Sequence, residues 1–286
     1  MKKVSGTFQR LGNLTDYEVS IAENWEELNP QQYASVLQIL TYAKADKDTV
    51  FVSLISLLFE QKNFHILTYF DDEQLYALMP LIDFILNTRP PVINKFPKLK
   101  INKKECIAPN DDLSNICFGE WCFAYQFYQL YYEFKDDKYL NMLIATLYRV
   151  ADPKQNENNL NYTGDLRYIF NENLLYKHAF DVASIPSPYK TAVITWFSSA
   201  LLSVMDARQR VFPKAIKTPE EAETAPEKET EETKGNITDW MTVFRELLGP
   251  KWGTTEQLKY TNAMFVLDGL EEQHIAFEEA KANSRV

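Results

Sequence analysis

The chain has 286 residues, 45% apolar and 14% aromatic, with 16 Tyr and 18 Phe, enough to bury a substantial core. Its formal net charge of −10 excludes a general nucleic-acid binder, which needs basic surface to neutralise phosphates. Three cysteines form no disulfide framework, MKKVSGTFQRLG holds no apolar leader, and Val50 to Phe59 and Ala192 to Met205 are too short or interrupted to span a bilayer, so a soluble cytoplasmic protein is expected.

Residues 1–25 hold the one clear β pattern. Tyr17, Val19 and Ile21 alternate with Glu18 and Ser20, and Gly12-Asn13 suits the turn of a hairpin with Thr7 to Leu11. From Asn29 the period becomes helical: Asn29 is an N-cap, Pro30 takes the first helical position, and Tyr33, Val36, Leu37 and Leu40 form an apolar stripe. Further helices are expected over Asp48 to Phe59 and over Asp71 to Leu86, the latter capped by Asp71 or Asp72. Arg89 to Pro109 sets four prolines among alternating aliphatics and reads as an extended loop with room for a short strand.

Helical periodicity returns after Asp112. Phe118 to Phe134 places Trp121, Phe123, Tyr125, Phe127, Tyr128, Tyr131 and Tyr132 all round one helix, which therefore belongs at the centre of the fold. Asp136 to Tyr148 is the next helix and Asn156 to Gly164 a polar loop. Residues 165–183 and 188–211 are two more helices, the second opened by Ser187-Pro188.

Lys217 to Lys234, KTPEEAETAPEKETEETK, has seven Glu, three Lys and no aromatic, and cannot bury enough apolar surface to offset its ordering entropy. Residues 214–235 are therefore expected to be a disordered acidic linker. Beyond it, Thr238-Asp239 caps a helix with Trp240, Val243, Phe244 and Leu247 on one face, which Gly249-Pro250 ends. Thr254 or Thr255 caps a last helix whose face carries Ala263, Val266, Leu267, Leu270 and Phe277. The expected fold class is mainly α. A helical-bundle body with a small N-terminal β-hairpin fills 1–213, the linker follows, and a C-terminal helical hairpin occupies 236–286.

Chemistry-bearing patterns are sparse. Ser187 and Lys190 have the spacing at which a lysine one turn on activates a serine, which makes a hydrolase one reading; a Ser-Pro helix start accounts for the same residues. His65, His178 and His274 are singletons, and only His274–Glu278 has metal-pair spacing, on a glutamate-rich face. Cys117 and Cys122 make no CxxC and read as small core residues. The doublets Asp71-Asp72, Asp111-Asp112 and Asp136-Asp137 precede helices, where carboxylates stabilise free amides without a metal. Lys95, Lys98, Lys100, Lys103 and Lys104 interleave with Phe96, Leu99 and Ile101, a basic loop pinned by apolar anchors. No GxG loop cradles a phosphate. No catalytic residue, cofactor or metal is expected. The tryptophans differ: a unit of fifty residues can hardly enclose two indoles, so Trp240, Phe244, Leu247 and Trp252 are the expected partner-binding residues.

Asn24-Trp25-Glu26-Glu27-Leu28-Asn29-Pro30-Gln31-Gln32-Tyr33, leading from a hairpin into a helix, resembles the Trp–acidic–Leu–Pro–Gln stretch of tail-morphogenesis proteins from Bacteroidetes prophages. Leu143 to Pro153 (LIATLYRVADP) and Ala192 to Phe197 are similar to such proteins as well. Asp239-Trp240, Gly253 and Phe265 to Glu272 are similar in layout to the helical tails of phage tail assembly chaperones. The resemblance implies a non-enzymatic factor in the bacterial host cytoplasm that binds the tape-measure or tail-tube protein before assembly. In that reading the tether raises the effective concentration of a second contact. A virion protein of the tail or head–tail junction is the alternative. No nucleic acid or membrane is expected as a partner, and oligomeric state is left open.

Overall fold

The computed structural model describes residues 1–10, 13–42, 46–59, 65–158, 162, 164–213 and 239–284. Gly12 of the expected hairpin turn and the whole of the expected linker lie outside them. The chain is 56% helix and 13% strand, with two small sheets and about 11 helices among the described residues. The expected helical bundle is corrected accordingly. Helix predominates, but the architecture is mixed α/β, with a second sheet of which two strands fall in the stretch expected to be an extended loop with room for a short strand. Two compact units are formed, one from 1–96 with 185–199 and the other from 97–184 with 200–286.

In the first unit, β1 (Lys2–Arg10) and β2 (Asn13–Ile21) pair antiparallel in register from Lys2↔Ile21 to Arg10↔Asn13. Phe8, Val19 and Ile21 face the core, where they join Trp25, Tyr33, Leu37 and Leu54. The Asn24–Tyr33 stretch earns its residues locally. Asn24 Oδ1 accepts the Glu26 and Glu27 amides at 3.1 and 3.0 Å, turning the chain. Trp25 packs edge-on to Tyr33 and Phe84 and donates its indole N–H to Thr88 Oγ1 at 3.0 Å. Asn29 and Gln32 exchange side-chain bonds with each other's amides, a capping box for α1 (Pro30–Tyr42).

The second helix, α2 (Lys47–Leu58), is capped by Asp46. The helix expected over Asp71 to Leu86 is three pieces: α3 (Asp72–Tyr76), a 3₁₀ turn over Met79–Ile82, and α4 (Asp83–Asn87). Pro80 is the physical reason. It has no N–H to give, and its ring meets the carbonyl four residues back, at Tyr76, where α3 stops.

The second unit is built round the second sheet and α5 (Phe118–Phe134). Strands β3 (Lys98–Ile101), β4 (Lys104–Ile107) and β5 (Arg149–Val150) run antiparallel in the order β3-β4-β5. The β3–β4 turn is Asn102-Lys103, both left-handed at φ 45° and 65°, the two-residue turn whose twist matches a hairpin. A lysine at that φ is strained, so Lys103→Gly is expected to stabilise the second unit by about 1 kcal/mol, read from its urea midpoint.

Following α6 (Asp137–Leu147), β5 continues into a bridge with the 166–168 segment, where Asp152 N–H bonds Leu166 O at 2.8 Å and Tyr168 N–H bonds Val150 O at 3.0 Å. The helix expected over 165–183 consequently begins only at α7 (Leu175–Val182), after a 3₁₀ turn at Glu172–Leu174. Helix α8 (Ser187–Asp206) stops short of the expected 211.

The C-terminal segment forms α9 (Trp240–Leu247), α10 (Thr255–Tyr260) and α11 (Ala263–Asn283). The single last helix expected there is interrupted at Thr261-Asn262. These residues leave the helix to bridge with the chain entering α5: Phe118 N–H bonds Thr261 O at 2.8 Å, and Ala263 N–H bonds Ile116 O at 2.9 Å. Asn262 then caps α11. Gly119 permits the approach of α10, since a Cβ there would lie 2.8 Å from Lys259 Cγ.

Candidate functional site

Of the expected partner-binding residues, the structure brings Trp240 and Phe244 together inside the second unit. Trp240 is 3% exposed. Its ring meets Phe118, Trp121 and Tyr125 at centroid distances of 6.0 Å and Phe212 at 5.4 Å. Phe244 stacks on Phe118 at 5.8 Å, 11° from parallel. Fifty residues alone do not enclose these rings; α5 supplies the other half of the aromatic cluster. Leu247 and Trp252 are half-buried. Trp252 lies apart from Trp240, against Gly269 of α11 and edge-on to Phe265.

Below the aromatic cluster lies an ionic one that periodicity does not reveal. Glu120 of α5 is fully buried and holds two guanidiniums. Arg167 NH1 and NH2 reach Glu120 at 2.7 and 3.2 Å, while its Nε and NH2 both bond Asp165 at 2.8 Å and NH1 also bonds Leu147 O at 2.6 Å. Arg149 NH1 and NH2 reach Glu120 at 2.8 and 3.1 Å, NH2 also bonds Asp165 at 3.1 Å, and Nε and NH1 bond Tyr168 O and Thr146 O. Burial alone would lower the Arg167 pKa, but the Glu120 and Asp165 charges outweigh it and raise it. Both guanidiniums spend all their donors on protein acceptors, so the cluster locks α5, β5 and the 165–168 segment together and offers an anionic ligand nothing.

Two cavities flank Arg149. One, of about 450 Å³, is lined in part by amides and hydroxyls, with Asn110, Ser114, Gln155 and Asn262 beside Cys117. The other, of about 400 Å³, opens between β4, β5 and α7. Buried Ile101, Cys106, Ala145, Phe170 and Leu175 line it, and Lys104, Tyr168, Ile169, Leu174 and Lys177 are exposed at its edge. Within it Cys106 Sγ faces His178 Nε2 at 4.0 Å. Burial pushes the Cys106 thiol up to about 11 and pulls His178 below its usual value, so both groups are uncharged near neutrality. Asp181 accepts from the Asn102 amide at 3.1 Å.

At the edge of this second cavity Ile169 is 71% exposed, and Tyr168 and Leu174 are exposed with it; on α7, Tyr176 at 82% and Phe180 at 83% are exposed but do not line the cavity. Leu175, Ala179 and Val182 form the buried face of α7, while Tyr176 and Phe180 stand one turn apart on its outer side.

Elsewhere, Ser187 opens α8 exposed and Lys190 is buried one turn on; neither lines a cavity described above. Asp71 and Asp136 accept backbone amides at the starts of α3 and α6, and Asp112 accepts from the Ser114 amide. Glu278, of the His274–Glu278 pair, bonds Arg210 at 3.0 Å. Within the basic loop, Lys95 bonds Glu26 O and Lys98 pairs with Glu105. Among the described residues no three His, Cys, Asp or Glu are grouped to hold a metal, and no helix is long and apolar enough to cross a membrane.

The residues that sequence reasoning missed each carried a faint signal. Glu120 is a lone carboxylate among Phe118, Trp121, Cys122 and Phe123, and Arg167 a lone cation before Tyr168-Ile169-Phe170. A charge inside an apolar run must be paired if the run is buried. No protein-family model, curated protein or solved structure matches the chain.

Proposed function

We propose that this is a non-enzymatic binding protein that holds an apolar segment of another polypeptide on the 168–180 strip, acting as a tail-morphogenesis factor or assembly chaperone in a bacterial host cytoplasm. One observation carries the reading: Tyr168, Ile169, Leu174, Tyr176 and Phe180 leave five large apolar side chains in water within one short stretch. Large apolar side chains left in water in this number are costly, and exposed apolar surface supports a contact site. The occupant that the Asn24–Tyr33 resemblance favours is a helical, apolar part of a tape-measure or tail-tube subunit. It would lie along the Tyr176–Phe180 ridge of α7 as a helix packs on a helix. With Trp240 and Phe244 engaged by α5, capture is assigned to α7 rather than to the C-terminal segment.

Co-expression with the tape-measure and tube subunits of the same genome tests the proposal. The wild type is expected to co-purify with one of them. Tyr176→Asp with Phe180→Asp is expected to lose that partner, at least tenfold by titration, with a melting temperature within about 2 °C of wild type, as surface substitutions leave stability nearly unchanged. Capture unaffected by the pair, or capture of neither subunit, overturns the proposal. So does a wild-type dimer that the same pair converts to a monomer, because the strip then serves a second copy of this chain. Copies found in purified particles would favour the virion-protein reading over the chaperone.

A further inference from the structure

We infer that the 400 Å³ cavity between β4, β5 and α7 is a binding site for a small carboxylate on an aliphatic or aromatic body, its apolar part inside and its carboxylate held at the mouth by Lys104 and Lys177. This goes beyond the capture of a polypeptide on the strip, which shares Tyr168, Ile169 and Leu174 with the cavity's edge, and it is tested apart from that capture because Tyr176 and Phe180 do not line the cavity.

The distribution of charge selects the ligand. The interior is walled by Ile101, Ala145, Phe170 and Leu175, and its one polar pair, Cys106 and His178, is neutral. Arg149 also touches the cavity, but its donors are all given to Glu120, Asp165 and backbone carbonyls, so it attracts no anion. Formal charge available to a ligand is confined to the edge. There Lys104 and Lys177 are exposed and have no ion-pair partner among the described residues, while the single carboxylate, Asp181, is engaged by Asn102. Two free ammonium groups against one occupied carboxylate make a cationic rim over an uncharged apolar floor. Such a site rejects cations at its mouth and polar groups at its base, because a buried polar atom without a partner is costly. The volume falls in the ~300–1,000 Å³ range of small-molecule sites.

Decanoate is the probe, with decanol as the same chain lacking the charge. Isothermal titration of the full chain is expected to show one decanoate site and at least fivefold weaker binding of decanol. Lys104→Gln with Lys177→Gln, both exposed and so harmless to folding, is expected to weaken decanoate about tenfold and leave decanol unchanged. Leu174→Trp, at the exposed mouth, is expected to block both ligands. Absence of binding, binding that survives Leu174→Trp, or equal affinity for the two ligands overturns the assignment. An unchanged decanoate affinity in the lysine variant overturns it as well. Partner capture by the strip is read separately, through the Tyr176/Phe180 variant, so neither result decides the other.

Discussion

Glu120→Gln is expected to destabilise the second unit by about 3–5 kcal/mol, the cost of breaking a buried ion pair from one side. The carboxylate is fully buried and accepts bonds from both Arg149 and Arg167. Its neutral replacement leaves two guanidiniums sharing Asp165 alone, with an uncompensated charge beneath the aromatic cluster. Packing is hardly altered, because the amide is nearly the same size. Urea unfolding followed by near-ultraviolet circular dichroism reads the loss directly. The companion variant Glu120→Met with Arg167→Met removes one charge of each sign and leaves Arg149 paired with Asp165. It is expected to recover at least half of the loss, since apolar replacement of a whole buried pair is often neutral. A Glu120→Gln loss below about 1 kcal/mol, the range of exposed pairs, would mean that water reaches the cluster.

The sequence shows local signals well and long-range ones poorly, for reasons visible in particular residues. Caps and periodicity are encoded within a few positions. Asn29 before Pro30, Asp136 before Asp137 and the aromatic run from Phe118 to Phe134 are all found where they were read. The second sheet is another matter. Its longest strand has four residues, and β5 has two. The alternation of Lys98-Leu99-Lys100-Ile101 is local and leaves room for a strand, but β5 is too short to alternate, and its identity comes from β4, more than 40 residues upstream. The 165–170 segment shows the same effect. Its apolar residues suit a helix, but Arg167 is drawn to Glu120 and the backbone to Val150, and these contacts override local preference.

The candidate site was less legible still. Cys106 and His178 lie 72 positions apart, and nothing in either neighbourhood announces the other. Tyr176 and Phe180 have helical spacing, but the buried side of α7 has it too, and sequence cannot say which face the rest of the unit covers. Trp240 and Phe244 show the converse. Their amphipathic face was legible, and what covers it, α5, lies more than 100 residues upstream.

Trp240→Ala is expected to cost about 3–5 kcal/mol, as for other large aromatic truncations in a core. The indole fills the space between Phe118, Trp121, Tyr125 and Phe212. Yet its N–H has no acceptor among the described residues, and neither has that of Trp121. The two rings meet at 90°, which places an indole edge against a ring face, a weak substitute for a hydrogen bond. Shape therefore matters here more than polarity, and Trp240→Phe is expected to cost about 1 kcal/mol, far less than alanine. Trp252→Ala, at a half-buried position between α9 and α10 that packs against Gly269 of α11, should also stay near about 1 kcal/mol. Thermal melts of the three variants rank them. If Trp240→Ala falls level with Trp252→Ala, the C-terminal segment is not part of the core. A chain stopped at residue 215 repeats the test on a larger scale. It removes Trp240, Phe244, Leu258, Val266 and Leu267, all buried, and uncovers Phe118 and Trp121 on α5. It is expected to bind hydrophobic dye and lose cooperative melting, whereas a C-terminal segment that merely hung from the body would leave a chain that melts as before.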